Sequence, residues 1–135
     1  MIRFLVYILI TLMLASCKEK DLQMVIAGKN YKYWLKLSDK SKSQTFFYFN
    51  RDGKWSIFIK PYRSSTMKKY NGGDAILVEN WSIINDSILN LGGIGYTVTQ
   101  VSDEMIIIKN KYFKDTLIYI PSPPPIEKKI IQIKM

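Results

Sequence analysis

Gln44-Thr45-Phe46-Phe47-Tyr48-Phe49-Asn50-Arg51-Asp52-Gly53-Lys54-Trp55-Ser56-Ile57-Phe58-Ile59-Lys60 reads as two strands and the turn between them. Asp52-Gly53 takes the positive φ that a tight hairpin turn needs, because glycine has no Cβ to clash there. After the turn, Trp55, Ile57 and Ile59 alternate with Lys54, Ser56, Phe58 and Lys60, and Pro61 ends the run by removing a ladder donor. Before the turn the pattern is denser. Phe46, Phe47, Tyr48 and Phe49 place aromatic rings on both faces of one strand, so the face turned away from the core also needs a cover.

The same period of two runs outward from this hairpin. Upstream, Tyr31, Tyr33, Leu35 and Leu37 alternate with Lys32, Trp34, Lys36 and Ser38. Ahead of them, Leu22-Gln23-Met24-Val25-Ile26-Ala27 is apolar and stops at Gly28; its pattern fits a first strand or a short plug helix. Downstream, residues 62–74 form the longest polar loop, followed by strand-like runs at Ala75 to Ile84, Ser87 to Leu91, Tyr96 to Thr99, Met105 to Lys109 and Thr116 to Ile120. Asn85-Asp86, Gly92-Gly93 and Ser102-Asp103 punctuate them as turns. Pro121-Ser122-Pro123-Pro124-Pro125 interrupts the pattern, and Ile131, Ile133 and Met135 then alternate as a last edge strand. About eight short strands at spacings of about ten residues predict an all-β fold, an up-and-down meander closing as a small barrel, with a β-sandwich as the alternative.

The N-terminus is of another kind. Arg3 precedes an apolar run from Phe4 to Ala15, broken only by Thr11, and Leu14-Ala15-Ser16-Cys17 leads into the charged Lys18-Glu19-Lys20-Asp21. A positive start, a short apolar core and small residues at the cut form a secretory signal, and the run is short of the roughly 20 residues that span a bilayer. The tetrad resembles the lipobox of bacterial lipoproteins, which implies acylation of Cys17 and removal of residues 1–16. Residues 17–30 then become a lipidated tether, residues 31–120 the β domain and residues 121–135 a proline-rich tail. Lys18 stands where an Asp is associated with inner-membrane retention, so the expected location is the cell envelope, lipid-anchored, with the outer membrane preferred over the inner.

Composition narrows the function. Cys17 is the chain's one cysteine and there is no histidine, so the mature chain has no thiol nucleophile, disulfide, Cys-ligated zinc or Ser-His triad. The expectation is a protein that is not an enzyme and carries no metal or cofactor. Net charge is +9, from 20 Lys and Arg against 11 Asp and Glu. An exported protein meets little nucleic acid, so a basic balance points instead to anionic headgroups or acidic glycans.

Three stretches resemble the lipocalin-like domains of small bacterial lipoproteins: Phe49 to Trp55 as strand, turn and returning strand; Trp81-Ser82-Ile83-Ile84-Asn85-Asp86-Ser87-Ile88-Leu89-Asn90-Leu91 as a tryptophan strand, its turn and the next strand; and Tyr96-Thr97-Val98 with Ser102 to Ile107. The family's Gly-x-Trp opening is reduced here to Gly28 and Trp34, and the proline-rich tail lies outside its pattern. The resemblance implies a meander barrel able to hold a small apolar molecule, and it carries over no catalytic residue. Trp55, Ile57, Ile59, Trp81, Ile83, Leu89, Leu91, Tyr96 and Val98 fall on one face of successive strands, either as a cavity lining or as ordinary core. Lys60, Arg63, Lys68 and Lys69, with Tyr62 and Tyr70, are candidate contacts for an anionic surface, or simply a solvated loop. The expected function is a membrane-tethered barrel that carries a small apolar ligand; the alternative is an interaction lipoprotein such as an inhibitor, immunity factor or accessory subunit of an envelope complex.

Overall fold

Residues 2–7, 21–37, 42–70 and 78–127 are described by the computed structural model. Residues 2–7 are helical and exposed. The domain opens with a six-residue helix, α1 (Leu22–Ala27), which settles the choice left open between strand and plug. Asp21 caps its start by accepting a hydrogen bond from Gln23 N–H, and Gly28 ends it at φ 62°, its N–H donating to Met24 O. Leu22, Val25 and Ile26 lie on one stripe and are buried, as is Ala27.

Among the described residues nine strands follow: β1 (Tyr31–Lys36), β2 (Gln44–Asn50), β3 (Trp55–Lys60), β4 (Lys68–Lys69), β5 (Trp81–Ile84), β6 (Ile88–Leu91), β7 (Ile94–Val101), β8 (Met105–Lys109) and β9 (Lys114–Ile120). They form one antiparallel sheet in the order β4-β3-β2-β1-β9-β8-β7-β6-β5. One continuous sheet replaces the sandwich alternative. First and last long strands pair, with Trp34 opposite Tyr119 and Leu35 opposite Ile118, so the meander curls back on itself. Its two arms meet along a short seam. Trp55 N–H donates to Glu79 O (3.0 Å), Trp81 N–H to Gly53 O (2.9 Å), and Lys54 lies across from Asn80. The fold is therefore an all-β, barrel-like meander.

Local chemistry explains the turns. Asn85 and Asp86 both take positive φ (52° and 59°) between Ile84 and Ser87, the mirror-image turn whose twist matches a two-strand ribbon. Gly92 (φ 59°) and Gly93 (φ 96°) do the same between β6 and β7. Gly92 has a second reason: a Cβ there would stand 2.6 Å from Val78 O, at the seam. The polar loop expected over residues 62–74 is interrupted. Lys68 and Lys69 pair with Ile59 and Phe58 as β4, because Tyr70 N–H donates to Ile57 O (2.7 Å) and holds the returning chain against β3.

Both faces of the β1-β2-β3 arm are covered, as the aromatic density of β2 requires. Phe46, Phe58 and Met67 are buried on the outer face and pack with Tyr33, Leu35, Tyr48 and Ile120. Their cover comes from the chain itself. After Ile120 the proline-rich segment crosses this face as a strap, with Met67 N–H donating to Pro125 O (3.0 Å) and Glu127 N–H to Met67 O (2.9 Å). Lys68 Nζ reaches Glu127 Oε2 at 3.1 Å. The edge strand expected at Ile131, Ile133 and Met135 lies outside the described residues. Deleting residues 122–135 is expected to cost roughly 2 kcal/mol or more, since it exposes Met67 and removes two backbone hydrogen bonds. A thermal melt lowered by several degrees checks this; an unchanged melt contradicts it.

Candidate functional site

The inward side of the curl is where the cavity-lining candidates were placed. Trp55, Trp81, Leu89 and Leu91 are buried there in one contiguous cluster, and Ile57, Ile83, Tyr96 and Val98 are half-buried against it. Ile59, further along β3, is half-buried, lies between Thr45 and Lys68, and is not part of that cluster. The cluster also holds side chains that the sequence reading did not single out: Trp34, Phe47, Phe49, Ile106, Ile108, Leu117 and the buried stripe of α1.

Trp34 is the instructive omission. It shares its face of β1 with Lys32 and Lys36, so alternation marks that face as the polar one. Inside the fold it is 0% exposed. Lys32 is accommodated because its ammonium donates to Val25 O (2.9 Å) and sits over the Tyr119 ring at 4.8 Å, leaving only its stem among apolar groups. Charges on both sides of the indole hid it. The aromatic quartet of β2, which needs partners on both faces, was the available signal.

All three tryptophans do the same structural task. Trp34 Nε1–H donates to Ile26 O (2.8 Å) and holds the plug helix. Trp55 Nε1–H donates to Val78 O (3.0 Å), and Trp81 Nε1–H to Asn50 O (2.8 Å); both bonds cross the seam. Ring contacts complete the packing: Phe47 meets Trp55 at 5.9 Å and Phe49 meets Trp81 at 5.4 Å, both edge to face. Among the described residues no buried side-chain polar atom lacks a partner.

Among the described residues, cavities open at the margins of this packing, and two of them bear on function. The larger, about 470 Å³, lies beside α1 and is lined by Asp21, Met24, Val25, Gly28, Lys29, Lys32 and Asp103. The other, about 310 Å³, lies between the strap and the outer face, with Tyr31, Tyr33, Met67 and Pro123 among its walls. Burial raises the Tyr33 phenol above its usual 10.0, and Tyr48 and Tyr31 push the same way. Ionising Tyr33 is therefore harder in the fold than in the open chain, so its contribution holds below about pH 10 and is lost as pH rises beyond.

The four candidate anion contacts part company. Lys69 Nζ is 2.7 Å from Glu79 Oε1 and Lys68 Nζ is 3.1 Å from Glu127 Oε2, so each already faces a carboxylate. Arg63, at φ 65°, instead stacks over Tyr62 at 5.2 Å, and Lys42 reaches the same ring at 5.0 Å. Lys60 ends β3 opposite Gln44. Cys17 lies outside the described residues. No helix among the described residues is long and apolar enough to cross a membrane.

No known family matches the chain, and no curated protein or solved structure is significantly similar to it.

Proposed function

We propose that this chain is a lipid-anchored lipoprotein of the cell envelope, acylated on Cys17, whose barrel-like domain is an interaction module rather than a carrier. The observation that carries this reading is the filled interior. Trp34, Trp55 and Trp81 occupy the inward side and spend their indole N–H groups on the plug helix and the seam. A carrier of the lipocalin kind needs that volume for its ligand. The outer aromatic face is not the interaction surface, because β4 and the strap already cover it. The lipobox-like tetrad supports the anchor, and Lys18 after Cys17 favours the outer membrane.

A carrier reading retains one observation in its favour: the 470 Å³ cavity beside α1 is within the size range of small-molecule sites. Native mass spectrometry of the protein purified from its host separates the two. A stoichiometric protein partner supports the interaction module. A stoichiometric co-purifying small molecule, with saturable uptake of a fluorescent fatty acid, would replace it with the carrier.

A further inference from the structure

Connections in an up-and-down meander alternate between the two ends of the sheet. Here the β2–β3, β5–β6 and β7–β8 turns share an end with α1. Arg51 Nη1 donates to Gly28 O (3.3 Å), and Asp103 lines the same cavity as Asp21. At the opposite end are the β1–β2, β3–β4 and β8–β9 connections, where Lys42 meets Tyr62.

Charge differs between the ends. The α1 end mixes Asp21, Asp52, Asp86, Asp103 and Glu104 with Lys29, Arg51 and Lys54. The opposite rim carries Lys42, Arg63, Lys109, Lys111 and Lys114, with Asp115 already facing Lys36 at 3.7 Å. Exposed apolar groups sit among these cations. Tyr112 and Phe113, at the tip of the β8–β9 hairpin, are 75% and 62% exposed. Asn110 shapes the backbone of the tip. Asn110 Oδ1 accepts hydrogen bonds from Tyr112 N–H (2.9 Å) and Phe113 N–H (2.8 Å), and Asn110 N–H donates to Phe113 O (2.8 Å). Two rings displayed to water among lysines, with the Lys111 ammonium 5.6 Å from the Tyr112 ring, make a surface suited to a partner with flat apolar faces and negative charge.

We propose that this basic, aromatic rim binds an anionic glycan of the envelope, its sugar faces stacking on Tyr112 and Phe113 and its carboxylates meeting Lys109, Lys111 and Lys114. The orientation of the rim rests on the proposed tether. Cys17 stands four residues before Asp21, a reach of about 14 Å when extended, whereas the strands of β9 length span about 23 Å. The tether thus joins the domain at the α1 end, and the rim is at the other.

Cosedimentation with purified peptidoglycan sacculi, using the full chain in mild detergent across a salt series, tests the rim. The Lys111→Gln/Tyr112→Ser/Phe113→Ser variant changes only exposed side chains and should melt as the parent does. Binding should fall with salt, and about tenfold in the triple variant, the combined effect of one cation and two ring contacts. Lys29→Gln, which removes one exposed cation at the α1 end, should bind as the parent. Equal losses in the two variants would mean general basicity. That result, an unaffected triple variant, absence of sedimentation with sacculi, or rim-dependent binding to anionic vesicles instead would each overturn the proposal. Sacculus binding does not depend on acylation, so failure here is separate from failure of the anchor.

Discussion

Trp34→Ala is expected to cost about 3–5 kcal/mol, a large share of the stability of a domain this size. Trp34 is fully buried, faces Phe47 across the β1–β2 ladder and Tyr119 across β1–β9, and stacks with Tyr119 at 5.7 Å. Truncation opens a cavity where the first and last strands join. It also orphans Ile26 O, the acceptor that holds α1, and a buried carbonyl without a partner costs about 1–3 kcal/mol by itself. Trp34→Phe separates the two effects, because it keeps most of the ring volume and removes only the donor; a loss of about 1–2 kcal/mol is expected. Urea unfolding of both variants measures this. A Trp34→Ala cost below about 1 kcal/mol would mean that the interior is open at this point, and would return the carrier reading to first place.

The second large effect is all-or-none. Cys17→Ser removes the only sulfur that an acyltransferase can modify in this chain. Metabolic labelling with palmitate is expected to vanish, and the protein to leave the membrane fraction or to remain there as the uncleaved precursor. One acyl chain alone gives marginal membrane binding, so a lipoprotein anchor draws on several chains, and all are lost together. Label retained on the Cys17→Ser protein would show that acylation lies elsewhere. The domain itself should be untouched, because among the described residues its buried cluster starts at Leu22.

What the sequence by itself determined was local. Hairpins are legible because their turn residues need backbone conformations that few residues accept: Gly53 at φ 88°, Asn85 and Asp86 at 52° and 59°, Gly92 and Gly93 at 59° and 96°. Strands are legible because side chains alternate with the pleat. Together these specify an antiparallel meander, and the missing histidine and lone cysteine narrow its chemistry before any fold is drawn. Tertiary structure decided the rest, since the deciding contacts join residues far apart in sequence. Tyr119 opposite Trp34 turned the tryptophan-and-lysine face of β1 inward, against the apparent polarity of that face. Packing against β1, β2 and β5 made Leu22–Ala27 a helix, where its short apolar run fits either structure. The strap and Met67 closed an outer aromatic face that alternation leaves bare. The connection that holds Tyr112 and Phe113 is legible between two strand-like runs; that both rings stay exposed there was decided by the fold, where the Asn110 turn sets them at the hairpin tip.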